Sequence, residues 1–267
     1  MNIFWFETKS QWKSFLIWAV SLFALLLIFM TAFYGTFMES KETVQKVLGS
    51  LPPAFAAAFG VDGVDRIFSF GGFFQFIYTY IGVVGAIMAA SFALSVFSRE
   101  KRSKCVDFLL VKPVERSRVF TDKLLSCLML LVVTNILFII SVVIAYTANG
   151  EDAGVPRKVV LASLSLFFMQ LVFLSISMLY ATFARKVRSV SGMATAIGFA
   201  GFIMMALCTL IKEDALMYIS PLAYFTPETV FSTGGFETKY VVTAAIVSVA
   251  CVALSYVKYC KSDTKAV

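Results

Sequence analysis

Apolar residues run almost unbroken through six stretches of the chain, at about 14–37, 73–97, 124–148, 159–183, 189–211 and 240–257, each bounded by charged residues. A helix rises about 1.5 Å per residue, so about 20 apolar residues are needed to cross a bilayer. Strands of a membrane barrel alternate in polarity over about ten residues, and these runs do not alternate. The pattern predicts an all-α integral membrane protein, a single transmembrane domain over residues 1–267 with six spanning helices. The first run, preceded by Lys9 and Lys13, is too long and continues too directly into the chain for a cleaved signal peptide, and is expected to stay as a span.

Shorter elements are expected between the runs. Val106, Leu109 and Leu110 recur at i, i+3 and i+4 with Lys104 and Asp107 interleaved, which predicts a short amphipathic helix from Ser103 to Val111. Pro113 disfavours a helical Lys112 and ends it, and a second short helix is expected to begin near Glu115 and lead into the third span. In the long segment from Met38 to Tyr80, "TVQKVLGSL" has helical spacing at Val44, Val47, Leu48 and Leu51, and "GVDGVDRIFSFGG" supplies breaks. That helix would either cap and gate an exit or pack on the outer leaflet.

Composition agrees with a lipid solvent: 60% of residues are hydrophobic, 28 are Phe, and the mean hydropathy is +0.86. Charge adds the topology. With both termini inside, 16 of the 23 Lys and Arg fall on the cytoplasmic side, whose net charge is +10 against −3 outside. Eight of those cations lie in the 26 residues "SREKRSKCVDFLLVKPVERSRVFTDK", Ser98 to Lys123, which then face the cytoplasm. A positive-inside anchor would explain the cations alone, but Phe108, Leu109 and Leu110 on a cytoplasmic helix also need burial, in the headgroup boundary or in a groove on a partner protein.

Several chemistries are excluded. The chain has no histidine, which removes His-based metal sites, Ser-His-Asp and Cys-His catalysis and histidine proton relays. Its five cysteines form no C-x-x-C pair and suggest neither a disulfide framework nor a zinc site. The six runs contain no Asp, Glu, Lys or Arg, which argues against ion-coupled transport. No G-x-x-x-x-G-K-[ST] phosphate loop is present, so any ATP that drives the protein is bound by another chain. Within the runs, Gln75, Asn135 and Gln170 either find partners across neighbouring helices or line a substrate path. Gly82, Ala86 and Ala90, with Gly192, Ala196 and Ala200, place small residues a turn apart, for packing within the chain or at a subunit interface.

The stretch 98–123 resembles the first cytoplasmic loop of the type-2 permease subunits of ABC exporters. The matching pattern is Glu100, Asp107 before Leu109-Leu110, then Pro113-Val114, Arg116 with Arg118, and Lys123. The amphipathic start "MNIFWFETKSQWKSFLIW" is similar to that family's interfacial connecting helix, and "ISPLAYFTPETVFSTGGFE" to its Pro-rich link between spans five and six. The resemblance implies that the loop is a coupling helix seated on a cytoplasmic ATPase, with Glu100, Lys104, Asp107, Phe108, Leu109, Leu110, Pro113, Arg116 and Arg118 at the contact. It further implies a non-catalytic subunit that carries no cofactor of its own, ATP and Mg being bound by the ATPase, and a partner permease, identical or related. The substrate expected of such a small bacterial permease in the cell membrane is hydrophobic or amphipathic, a peptide, lipid or antibiotic, moved outward. An ATP-independent channel or carrier, or a membrane assembly factor, is the alternative.

Overall fold

The computed structural model describes residues 3–50, 66–103, 115–149, 157–211 and 217–261, and among them every regular element is helical. Helix α1 (Ile3–Leu27) continues through a wide π turn (Ile28–Phe33) into α2 (Tyr34–Glu39), followed by α3 (Lys41–Ser50) and a 3₁₀ turn (Arg66–Phe68). Then come α4 (Phe70–Phe97), α5 (Arg99–Ser103), α6 (Arg116–Ala148), α7 (Arg157–Phe183), α8 (Val190–Ile211), α9 (Pro227–Thr233) and α10 (Thr238–Lys261). Six of these units, α1 with α2 and then α4, α6, α7, α8 and α10, are long and apolar enough to cross a membrane.

Helices α4 and α7 form the centre of the bundle. Helix α1 packs on α6 and α4, α8 rests on α4, α10 lies against α7 and α6, and the short α9 crosses the ends of α7 and α4. Small residues explain the intimacy of the central pair. Gly82, Ala86 and Ala90 of α4 are buried, and a Cβ at Gly85 would stand 2.6 Å from Leu166 Cδ1 of α7. The outer helices bury one narrow face each and leave Ile17 and Val20, Phe199 and Ile203, and Ile246 and Val249 exposed. Hydrocarbon is the solvent that suits those faces.

The helices outrun the apolar stretches. Neither Gly nor Pro occurs within α1 or α6, so nothing interrupts the backbone ladder. The N-terminal residues similar to the family's connecting helix are the first turns of α1, and the short helix expected near Glu115 is the first turn of α6. The apolar runs themselves carry no charge, but the turns that extend them bury Glu7 in α1 and Lys123 in α6. Helix α8 makes little use of its small-residue stripe within the chain. Its buried positions are Ala194, Gly198, Gly201 and Cys208, while the stripe of Gly192, Ala196 and Ala200 is exposed.

At the end of the bundle away from the basic stretch, local polar contacts close the irregular places. The π turn in α1 leaves carbonyls out of the regular ladder, and Asn149 Nδ2 at the end of α6 donates to Met30 O and to Ala145 O, 2.7 Å each. Helix α3 is present as expected, none of its side chains buried. Helix α4 starts at Phe70, earlier than its apolar run, because Ser69 caps it, its Oγ accepting from Gly72 N at 3.1 Å. In the link before span six, Pro227 opens α9 and Gly234, at φ 82°, closes it with its N–H donating to Val230 O.

Candidate coupling site

The segments rich in cations meet at one end of the bundle: the start of α1, α5, the start of α6, the end of α7 and the end of α10. In the chain, residues 104–114 connect α5 to α6. The expected helix and its Lys104, Asp107, Phe108, Leu109, Leu110 and Pro113 lie outside the described residues. Their two roots are described, and each root is tied down by charge.

Helix α4 ends at Phe97, and Ser98, fully buried, forms the joint to α5, its Oγ donating to Leu94 O at 2.5 Å. The next four residues then reach four different helices. Arg99 pairs with the Glu7 carboxylate of α1 at 2.8 Å and donates to Ser10 Oγ at 2.6 Å. Glu100 pairs with Lys123 of α6. Lys101 Nζ donates to the carbonyls of Ala181, Thr182 and Ala184, at 3.0, 2.7 and 3.0 Å, where α7 ends. Arg102 turns back to Ser95 O of α4 at 3.2 Å. Arg116 makes a further tie, from the start of α6 to Cys260 O of α10 at 3.4 Å, and Arg118 is exposed.

The electrostatics follow from burial. The Lys123 side chain is 1% exposed and would be costly there without compensation. It has a carboxylate from Glu100, the Val96 carbonyl at 3.0 Å, and the rings of Phe97 and Tyr259 at 5.9 Å each. Val96 sits in the last turn of α4, where the helix dipole favours a cation. Glu7, 3% exposed, is affected first by its burial and then by the charges of Lys123, Arg99 and Glu100, so the two pairs adjoin as one quartet of side chains. Lys101 lies over the unsatisfied carbonyls of a helix C-terminus; desolvation and the Lys258 ammonium push it below its ordinary pKa, with Glu100 pulling the other way.

Of the residues singled out from the sequence, Glu100 and Arg116 are thus engaged within the chain. Glu7, Arg99, Lys101 and the burial of Lys123 were not anticipated. A signal existed: Glu7 and Gln11 continue, at spacings of three and four, the buried stripe Phe15, Ala19, Leu22 and Leu26, and Lys123 stands one turn before buried Cys127. Gln11 Nε2 donates to Ser95 Oγ at 2.6 Å, adding a neutral bond beside the quartet.

The three intramembrane amides separate. Asn135 Nδ2 of α6 donates to Gln170 Oε1 of α7 at 2.7 Å, and Gln170 Nε2 to Gly85 O of α4 at 3.4 Å, so one buried polar contact joins three spans. Gln75 lies elsewhere, its Oε1 accepting from Glu228 N at 3.1 Å, a donor that α9 leaves open in its first turn.

Six spanning helices, four of them tied together at one end of the bundle by the charged side chains of α5, define a multi-pass helical membrane protein. The chain belongs to the ABC-2 family transporter proteins, whose family model matches residues 1–264, and it is a transmembrane permease of that family. Comparison with curated proteins and with solved structures gave no significant match.

Proposed function

We propose that this chain is the permease subunit of an ATP-driven exporter that docks a separate ATPase through residues 98–123 and pairs with a second permease, identical or related. The observation that carries the reading is the hub of Arg99 to Arg102, which precedes residues 104–114 in the chain. A load on that segment meets α1, α4, α6 and α7 at once. Family membership supports the partner, since ABC-2 permeases are generally non-catalytic and typically work with an ATPase. The exposed small-residue stripe of α8 leaves room for close approach by another helix, which suits a second permease.

The cargo is hydrophobic or amphipathic, a peptide, lipid or antibiotic, carried outward across the cell membrane of a bacterium. Asn135 and Gln170 face each other here, so contact between these amides and a cargo requires α6 and α7 to part.

Co-expression with ATPase subunits from the same genome tests the reading. The chain alone should hydrolyse no ATP, and the purified complex should. Burial of each leucine in a partner groove is worth about 1.5–3 kcal/mol, so Leu109→Ala with Leu110→Ala should release the ATPase. Substrate movement by the chain in vesicles without any ATPase would identify a channel or carrier instead.

A further inference from the structure

We propose that α5 is a rigid transmission hub and that Glu100 and Lys123 are positioning residues inside it, holding both roots of the 104–114 segment in one register, rather than contacts to the ATPase. The inference rests on the proposed function and assigns to Glu100 a different task from the one its place in the loop suggests.

Three observations carry it. First, Lys123 bridges the joint: Val96 O lies before Ser98 and Glu100 after it, so one ammonium holds α4 and α5 at a set angle. Second, the same ammonium belongs to α6, the helix to which the segment returns, so the outgoing and returning strands of the loop share one charge. Third, the remaining charges of α5 distribute that body to other helices, Arg99 to α1 and Lys101 to α7.

An apolar filling of the same volume would hold these helices together equally well, because a buried ion pair contributes little net stability. An ion pair differs from an apolar filling in direction. Its hydrogen bonds are satisfied in one arrangement, so a displaced segment carries its partners with it rather than sliding over them. The Glu100 side chain is 16% exposed and turned to Lys123.

The experiment uses hydrogen exchange on the permease–ATPase complex in lipid nanodiscs, with and without trapping by ATP and vanadate. In the wild type, trapping should change exchange in Pro227–Thr233, at the opposite end of the bundle. Lys123→Met should keep the ATPase bound and reduce the trapping response and the ATPase rate of the complex about tenfold, the scale on which substitutions along coupled elements act. Lys123→Arg should restore most of both.

The paired variant Glu100→Gln with Lys123→Met removes both charges, which spares the fold, and should remain uncoupled. Wild-type trapping response in that paired variant, or no rescue by Lys123→Arg, overturns the proposal. If the wild-type chain binds no ATPase, the functional reading fails, and exchange on the permease alone still decides the hub. Glu100→Gln should then raise exchange in 96–103 and 116–123 together. A rise confined to 96–103 refutes it.

Discussion

Substitution of Gly198 by Ala is expected to loosen the fifth span, and the size of the effect follows from its seat. Helix α8 has 22 residues and buries only Ala194, Gly198, Gly201 and Cys208. A Cβ at Gly198 would stand 2.4 Å from Ile87 Cγ1 and 3.4 Å from the Ile87 backbone nitrogen of α4. Carbon atoms pack best at about 3.5–4.0 Å, so α8 would have to withdraw by about 1 Å or Ile87 would have to leave its rotamer. Overpacking of this kind costs about 1–3 kcal/mol, against which Ala recovers about 1 kcal/mol of helix propensity.

A net loss of about 0–2 kcal/mol is therefore expected, which is about 1–3 kcal/mol relative to a helical glycine where alanine is unhindered. Gly35, in α2, is the internal control, because a Cβ there meets nothing within 4 Å and Gly35→Ala should be neutral or stabilising. The assay is thermal unfolding of the purified permease in detergent, read by circular dichroism and by cysteine accessibility at Cys208, which is buried on the same face. Gly198→Ala should expose Cys208 before global unfolding. Equal stability of Gly198→Ala and Gly35→Ala, with Cys208 still protected, would refute the close approach of α8 to α4.

Three further outcomes are expected. Gln170→Leu and Asn135→Leu should each destabilise, and the double variant should lose less than their sum, by about 0.6 kcal/mol and at most about 1.7, in a double-mutant cycle of unfolding; strict additivity would break the pair. Gln75→Leu should cost about 1 kcal/mol, the worth of a helix N-terminal acceptor, and raise hydrogen exchange in Pro227–Thr233, whereas unchanged exchange there would remove Gln75 from that role. With Cys260 as the sole cysteine, an impermeant maleimide should label inside-out vesicles and spare intact cells, and labelling of intact cells would reverse the orientation argued from the cations.

Much of the fold was legible because the bilayer is a stringent solvent. Its thickness sets the length of an apolar run, and the demand that backbone groups be satisfied within the segment leaves helices as the answer for runs without alternation. The link before span six could be read in the same way, since Pro227 and Gly234 act locally on the backbone. The stretch 98–123 stood out for its charge density against an apolar background.

Orientation of each helix about its own axis was another matter. In water, one apolar stripe shows which face points inward; in lipid both faces are apolar, and periodicity loses that information. The small-residue stripe at Gly192, Ala196 and Ala200 therefore left packing within the chain and a subunit interface both open, and the contact within the chain runs through Ala194, Gly198 and Gly201. The charges show the same division. Sequence alone placed Arg99, Glu100, Lys101 and Arg102 in one basic loop, because adjacency and sign are local properties. That these four side chains reach four different helices, and that Lys123 is buried among them, was decided by packing, which brings together the ends of helices far apart along the chain.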